Sequence, residues 1–290
     1  MKTAALLLPL LSLALLAGCS KTEEPAKPKV ASESAAPAGY LEKIKARDKL
    51  IVGVFTDKPP FGFVDESGRY VGFDTDIGRR FAKDLLGDEN KVEFVAVEPA
   101  SRIPFLQSDK VDLILANMTV TPERKQAVEF TNPNLKVAVQ ALVPQGSSVK
   151  KLDDLATRTT IVTTGTTADI WLTKTHPDWK LLKFEKNSES LQALANGRGD
   201  AYAQDNLVLF SWAKQNPGYR VLEEKLGAEA PIAPAVKKGN LELRDWINSE
   251  LAKLGEEKYL LKLYDQYVRK ELSDDTRPES VIVEGGKWQG

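Results

Sequence analysis

Short apolar runs alternate with longer amphipathic segments along this chain. Residues 50–54 and 92–97 are apolar runs bounded by polar turns, which is typical of buried strands. Between them, Ile77, Phe81 and Leu85 recur at helical spacing and predict an amphipathic helix. This alternation predicts an α/β fold in which a mostly parallel sheet carries helices on both faces.

One stretch, residues 111–124, combines a strand, a polar turn and the start of a helix. Residues 111–116 are apolar, and Thr121 followed by Pro122 has the sequence of an N-cap and a first helical position. Backbone N–H groups at a helix N-terminus attract anions, and Arg124 adds a positive charge in the first helical turn. The pattern predicts an anion site, and the alternative is a capped surface helix with Arg124 in solvent.

A second α/β pattern follows the composition break at residues 144–148. Its first strand leads into the Thr-rich turn at residues 163–167, which offers hydroxyl and N–H groups to an anion or simply caps a helix. A later strand ends at Asp205, which either caps the next helix or contacts a ligand. Residues 137–143 and 230–236 are extended and are expected to connect the two halves.

The first residues of the chain have the pattern of a targeting segment. Lys2 precedes a Leu/Ala run at residues 4–17, which is too short for an ordinary membrane-spanning helix. The run ends in Leu-Ala-Gly-Cys19, which resembles the lipobox of bacterial lipoproteins and implies cleavage before Cys19 and lipid attachment to its sulfur. An ordinary signal peptide is the alternative. Residues 20–40, rich in Ala, Pro, Lys and Glu, are expected to form a flexible tether.

Composition removes several functional classes. The 40 Lys and Arg residues nearly balance 41 Asp and Glu residues, which argues against nucleic-acid binding. A single Cys and a single His leave no thiolate or imidazole metal site and no convincing nucleophile–base pairing. We therefore expect no metal and no cofactor.

The order and spacing of six pieces resemble the polar-amino-acid solute-binding proteins of bacterial ABC transporters, family 3. These pieces are LIVGV at 50–54, VGFDTD at 71–76, NMTVTPERK at 117–125, FT at 130–131, TGTT at 164–167 and GDAYAQD at 199–205. The resemblance implies a two-lobed periplasmic-binding-protein fold of type II, with two hinge strands and a ligand cleft between the lobes. The expected divisions are a signal peptide at 1–19, a tether at 20–40, lobe 1 at 41–138 and 235–272, lobe 2 at 139–234, and a loosely packed tail at 273–290.

The resemblance also implies a role for each residue of the cleft. Arg124 matches the arginine that binds the ligand α-carboxylate bidentately. Thr119 matches a residue whose hydroxyl also binds this carboxylate. Thr167 matches a residue whose hydroxyl binds it from the second lobe. Asp205 matches the carboxylate that takes the α-ammonium. Asn117 stands where the family usually has Gly or Ser, so its amide is expected to intrude on the side-chain pocket.

The remaining predicted ligand-binding residues surround the ligand side chain. Phe55, Asp57 and Phe61 belong to the loop that lines this pocket in the family. Thr166 belongs to the Thr-rich turn, and Asn187 stands where the acidic branch of the family has His.

The predicted class of ligand depends on the role of Arg102. Its segment resembles the aspartate/glutamate-binding branch, in which an arginine reaches the ligand's side-chain carboxylate. Phe55, which replaces a basic residue, and Asn187 depart from that branch. Alternatively, Arg102 pairs with Asp57 or Asp74 as a structural bridge. We expect an acidic amino acid, with glutamine or another polar amino acid as the alternative.

The resemblance implies a monomeric binding protein that captures an amino acid by hinge closure and delivers it to an ABC permease in the inner membrane. A periplasmic location or a cell-surface location, anchored through lipidated Cys19, follows from the targeting segment. An enzyme of the same fold, a periplasmic dehydratase of the cyclohexadienyl type, is the competing class. No paired acids lie outside the binding roles, so we expect no catalysis.

Overall fold

The computed structural model describes residues 39–273 and 276–288. The predicted signal peptide, Cys19 and nearly all of the predicted tether lie outside these residues. Their cleavage and lipidation stay predictions. The first helix begins at Tyr40, the last residue of the expected tether.

The chain forms its elements in three blocks separated by two crossings. The first block contains α1 (Tyr40–Arg47), β1 (Leu50–Val54), β2 (Asp57–Lys58), β3 (Gly62–Val64), β4 (Tyr70–Val71), α2 (Phe73–Leu86), β5 (Val92–Ala96), α3 (Arg102–Gln107), β6 (Leu113–Ile114), α4 (Pro122–Ala127), β7 (Val128–Phe130) and β8 (Leu135–Val137). The second contains β9 (Val139–Pro144), a 3-10 helix (Leu152–Thr157), β10 (Thr159–Thr163), α5 (Thr167–Thr175), β11 (Lys180–Phe184), α6 (Asn187–Ala195), β12 (Ala201–Asp205), α7 (Asn206–Gln215), β13 (Tyr219–Val221) and β14 (Ala230–Ile232). The third contains β15 (Ala235–Lys237), α8 (Leu241–Glu256), α9 (Tyr259–Leu263), a π-helical turn (Tyr264–Val268) and 3-10 helices at Arg269–Glu271, Pro278–Ser280 and Glu284–Gly286.

Lobe 1 is built on a five-stranded sheet with the order β5-β1-β6-β15-β7. Strand β1 pairs in parallel with β5 and β6, as the sequence predicts for successive strand–helix units. Strand β15 returns from the second crossing and pairs antiparallel with both β6 and β7. The sheet is therefore mixed rather than mostly parallel, because its return strand enters from the opposite end.

Lobe 2 repeats this design with the order β11-β10-β12-β9-β13. Strand β10 is parallel to β11 and β12, whereas β9 is antiparallel to β12 and β13. In both lobes the parallel strands end on the side where the lobes meet, which is where ligands bind in open α/β sheets. The two-lobed α/β fold of type II expected from the resemblance is confirmed.

Two antiparallel strands, β8 and β14, connect the lobes. The single strand expected at residues 137–143 is divided, because β8 ends at Val137 and β9 begins at Val139 in the other sheet. Between them, the Ala138 N–H donates to the Asn206 side chain, and the Asn206 N–H donates to the Ala138 carbonyl. These reciprocal bonds fix the start of α7 beside the crossing.

Residues 276–288 of the C-terminal tail are packed, so the expectation of a loose extension is wrong for this part of the chain. Val281, Ile282 and Val283 are buried against lobe 1, and Ile282 forms a β-bridge with Leu135. Glu284 then accepts the backbone N–H groups of Leu260 and Leu261 at the start of α9. The apolar Val-Ile-Val run loses water contact in this position, which stabilises the docked tail.

Candidate functional site

Side chains from both lobes line a narrow cleft between the two sheets. The cavity left between them measures about 10 Å³, roughly the room that one water molecule needs. It is lined by Phe55, Lys58, Pro99, Arg102, Asn117, Thr119, Thr166, Thr167, Gln204 and Asp205. Most residues predicted to bind a ligand therefore lie together. Their ligand roles stay predictions.

Arg124 extends from the first turn of α4 toward lobe 2. The hydroxyl of Thr121 accepts the backbone N–H of Arg124 at 3.2 Å, which confirms the predicted helix start. The side chain is 5% exposed; it donates to the Thr119 carbonyl at 2.8 Å and to the Gly165 carbonyl at 3.0 Å. Burial lowers the pKa of Arg124, and the nearby Asp205 opposes this shift. Both bonds go to neutral oxygens, so the guanidinium charge can still serve an anion.

The Thr-rich turn brings lobe 2 against lobe 1. Gly165 has a φ of 78°, and a Cβ at this position would lie 2.8 Å from the Cα of Ala100. Only glycine permits this backbone conformation together with such a close approach. The turn can therefore present its carbonyl and hydroxyl groups to lobe 1.

The two threonines of this turn have different surroundings. Thr166 caps α5, because its hydroxyl accepts the Asp169 N–H at 3.3 Å and donates to the Thr163 carbonyl at 2.7 Å. Thr167 instead points across the cleft, where its hydroxyl donates to the Thr119 hydroxyl at 3.0 Å. Thr119 and Thr167 are thus placed to share one anion with Arg124, whereas the hydroxyl of Thr166 is already engaged.

Asp205 lies at the end of β12 and points into the cleft. Its carboxylate forms no capping bond to α7, so the alternative reading of Asp205 as a helix cap is wrong. The Oδ2 atom accepts Lys58 Nζ at 3.1 Å and Asn117 Nδ2 at 3.3 Å, both from lobe 1. A carboxylate held in the cleft by one ammonium and one neutral amide is a suitable partner for a ligand ammonium.

Lys58 is a cleft residue that the sequence analysis missed. It lies in β2, it is 2% exposed, and its ammonium forms an ion pair with Asp205. One sequence feature could have identified Lys58: it stands beside Asp57, in the loop that follows β1. A lysine in such a loop usually lies in solvent, because a lysine is rarely buried unless it is paired.

Asn117 occupies the turn after β6 with a φ of 44°. Its backbone N–H donates to Asp74 Oδ2 at 3.1 Å. Asp74 is buried at the start of α2, and this burial raises its pKa to about 7. The amide of Asn117 reaches Asp205 and so lies in the cleft. Its intrusion on the side-chain pocket of a ligand stays a prediction.

Arg102 is buried, but it forms neither of the predicted structural bridges. Its guanidinium donates to three carbonyls of lobe 1, those of Pro99 at 3.0 Å, Ala116 at 2.9 Å and Asn117 at 3.2 Å. It also approaches the Gly165 carbonyl at 3.5 Å. No ion pair joins it to an acid within residues 39–273 and 276–288, so pairing with Asp57 or Asp74 is wrong. Most of its donors are engaged by backbone.

Asp57 and Asn187 meet at the rim of the cleft rather than in the cavity. Asp57 accepts the Ser188 N–H at 2.9 Å and Asn187 Nδ2 at 3.4 Å, and both donors belong to lobe 2. Asn187 also accepts Gln204 Nε2 at 2.8 Å and the Tyr202 hydroxyl at 3.3 Å. The two residues thus join the lobes, and Gln204, which the sequence analysis missed, connects them to the cavity.

The two aromatic residues of the loop after β1 are separated. Phe55 lines the cavity, and the Lys58 ammonium lies 5.2 Å from its ring centroid. Phe61 belongs to the hydrophobic core of lobe 1, so its expected place in the side-chain pocket is wrong. Its backbone explains this position, since its carbonyl accepts the Asp74 N–H and holds the residue under the start of α2.

Residues 39–273 and 276–288 contain no group of three or more His, Cys, Asp or Glu side chains that could hold a metal ion. Within the same residues, no helix is long and apolar enough to cross a membrane.

Comparison with known proteins places this geometry in a family. Residues 50–270 match the model of the bacterial extracellular solute-binding proteins, family 3. The chain is 41% identical over 231 residues to the glutamine-binding protein of Geobacillus stearothermophilus, covering 77% of this chain and 87% of that protein.

Solved structures agree with this match. The cysteine-binding protein of Campylobacter jejuni is 44% identical, with a TM-score of 0.84, and the match covers 85% of this chain and all of that one. A solute receptor for L-cysteine of Neisseria gonorrhoeae is 45% identical, with a TM-score of 0.82, and the match covers 84% of this chain and 99% of that one.

Proposed function

The chain belongs to the bacterial extracellular solute-binding proteins of family 3, and we propose that it captures a neutral polar L-amino acid and delivers it to an ABC importer. One observation carries the proposal. Asp205 of lobe 2 lines the cavity with Thr119 and Thr167, and Arg124 of lobe 1, which carries the opposite charge, lies close enough to Asp205 to interact with it electrostatically. This arrangement can hold the carboxylate and the ammonium of one α-amino acid.

Each polar group of an amino acid has a partner in the cleft. The planar guanidinium of Arg124 suits a carboxylate, and the hydroxyls of Thr119 and Thr167 add donors from both lobes. The ammonium would bind the Asp205 carboxylate, which Lys58 and Asn117 contact in this structure.

Capture requires movement of the lobes. A cavity of about 10 Å³ is too small for an amino acid, so the lobes must separate before a ligand can enter. The two crossings at β8 and β14 are the connections about which this opening would occur. A ligand that contacts both lobes would then stabilise an arrangement closed around it.

The ligand side chain is proposed to be neutral. The names of the relatives, glutamine-binding and cysteine-binding, favour the alternative of the sequence analysis over an acidic amino acid. The bonds of Arg102 agree, because its donors are engaged by carbonyl groups of lobe 1 rather than presented to a second carboxylate. Glutamine and cysteine are the two candidates, each supported by different relatives.

The deciding experiment is calorimetric titration of the purified chain, stripped of bound ligand by unfolding and refolding. The panel contains L-glutamine, reduced L-cysteine, L-glutamate and L-aspartate. We expect one of the neutral ligands to bind at least tenfold more tightly than either acid. A preference for glutamate or aspartate would restore the acidic assignment, and binding of none would overturn the proposed function.

We further propose that the chain is anchored outside the cytoplasm through lipidated Cys19 and acts as a monomer beside its permease. The lipobox-like sequence before Cys19 supports the anchor. Replacement of Cys19 by Ser should move the protein from the membrane fraction to the soluble fraction of cells. An unchanged distribution would contradict the anchor.

A dehydratase activity is not favoured. Asp205 lines the cavity and Asp74 lies behind Asn117, and both are engaged, Asp205 by Lys58 and Asp74 by the Asn117 N–H. Turnover of prephenate or arogenate by the purified chain would reverse this ranking.

A further inference from the structure

Lys58 is a buried cation whose role the family comparison does not supply. Its ammonium lies 3.1 Å from Asp205 Oδ2 and 5.2 Å from the ring centroid of Phe55, and the residue is 2% exposed. Lysine is seldom buried to this degree, because removing an ammonium from water is costly unless a charge pairs with it. Its partner here is the carboxylate predicted to bind the ligand.

Cationic groups are in excess around the cleft. Lys58, Arg102 and Arg124 are each less than one-tenth exposed. Among the described residues that line the cavity, Asp205 is the only carboxylate. Asp74 lies behind Asn117, and since burial raises its pKa to about 7, it is only partly ionised near neutral pH.

This excess acts differently on different ligands. A zwitterionic amino acid with a neutral side chain adds no net charge, and its ammonium can share Asp205 with Lys58. An amino acid with a cationic side chain adds a further positive charge to the closed cleft. Asp205, the one carboxylate among the described residues that line it, would already contact both Lys58 and the ligand α-ammonium. Like charges in such a low-dielectric space repel strongly.

Lys58 is also the cation nearest to Asp205. Among the described residues, Asp205 forms its ion pair with Lys58, whereas Arg102 and Arg124 donate to carbonyl groups. Lys58 therefore neutralises the Asp205 carboxylate, with which a cationic ligand side chain would otherwise pair. Burial and Arg102 lower the pKa of Lys58, and Asp205 opposes them.

We propose that Lys58 determines the charge class of the ligand by excluding amino acids with cationic side chains. This inference rests on the proposed amino-acid-binding function. The alternative is a purely structural role, in which the Lys58–Asp205 pair only helps to close the lobes. A structural role would change the affinity of all amino acids by the same factor, whereas exclusion changes the ratio between cationic and neutral ligands.

The test compares the ratio of dissociation constants for L-arginine and L-lysine relative to L-glutamine and reduced L-cysteine. Lys58→Met keeps most of the side-chain volume and removes the charge. Lys58→Gln is a second neutral variant in case Met disturbs folding, and thermal unfolding checks both. Lys58→Arg retains the charge, and Lys83→Met, at an exposed lysine on α2, is the matched control.

We expect the wild type, Lys58→Arg and Lys83→Met to disfavour cationic ligands by at least a hundredfold. Lys58→Met and Lys58→Gln should narrow that ratio by at least tenfold. An unchanged ratio in a folded neutral variant, or an equal change in Lys58→Arg, would overturn the inference. If the wild type binds none of the amino acids, the proposed function itself has failed, which is a distinguishable result.

Discussion

The carboxylate of Asp57, in lobe 1, accepts the backbone N–H of Ser188 at the start of α6 in lobe 2, at 2.9 Å. The same carboxylate accepts Asn187 Nδ2 at 3.4 Å. A negative charge at a helix N-terminus is favourable, and here it comes from the opposite lobe. The contact joins the two lobes, so its free energy adds to the stability of this closed arrangement.

Asp57→Ala should therefore weaken ligand binding without removing a residue that lines the cavity. The expected loss is about 1–2 kcal/mol, the size of a hydrogen bond to a charged acceptor that is partly exposed to water. Calorimetry measures the loss, and small-angle scattering should show a smaller closed fraction at saturating ligand. Asp178→Ala, at an exposed position, is the control. Equal affinity in both variants would contradict a role of Asp57 in holding the lobes closed.

Arg124→Ala should reduce amino-acid affinity by about 2–5 kcal/mol, because the buried ligand carboxylate would lose its charged partner. Arg124→Lys should also bind weakly, since an ammonium cannot reproduce the two parallel bonds of a guanidinium. Titration of both variants with the cognate ligand measures the effect. Near-wild-type affinity in Arg124→Ala would exclude this carboxylate site.

Asp205→Asn should discriminate between ligands that have an amino group and those that do not. The carboxylate of Asp205 is expected to meet the ligand ammonium, so amino acids should lose much more affinity than their deaminated analogues. Competition binding with matched pairs of ligands provides the measurement. Equal losses for both classes would show that Asp205 acts only through its ion pair with Lys58.

Arg102→Met tests whether the protein recognises an acidic or a neutral ligand side chain. If Arg102 is committed to the carbonyls of Pro99, Ala116 and Asn117, its removal should change acidic and neutral ligands alike. A guanidinium that reads a side-chain carboxylate would instead give a loss of about 1–3 kcal/mol for the acidic ligands alone. A thermal-shift panel on wild type and variant separates these results.

The stability of the protein should depend on the protonation of Asp74. Burial raises the pKa of Asp74 to about 7 in the folded state, whereas an unfolded aspartate has a pKa of about 4. The folded carboxyl thus binds its proton more tightly, so the contribution of Asp74 to the free energy of unfolding is greatest below about pH 4 and is lost as pH rises through about 7.

Asp74→Asn should flatten this fall, because an amide can still accept the Asn117 N–H but does not ionise. Burial also raises the pKa of Glu98 to about 7 and that of Glu250 to about 6, so part of the slope should remain. Urea unfolding at several pH values gives the measurement, with Asp178→Asn as the exposed control. An unaltered pH profile would mean that Asp74 does not titrate in this range.

The local pattern of residues was sufficient to predict most elements and several site residues. The apolar period of Ile77 and Phe81 locates α2, and both residues are fully buried. Thr121 and Pro122 start α4 as predicted, because a cap satisfies N–H groups within its own helical turn. Such features depend on neighbours in sequence, so the sequence alone determines them.

Tertiary structure decided the contacts that join distant residues. Lys58 and Asp205 are 147 positions apart, and no local pattern shows that a lysine in a polar loop will be buried against an acid of the other lobe. Phe61 lies in the core rather than the cleft, and the apolar tail packs against Leu135. Both positions likewise depend on residues that are distant in sequence. Hydrophobic periodicity reports which face of an element is buried, but the partner of that face depends on how the crossings bring the lobes together.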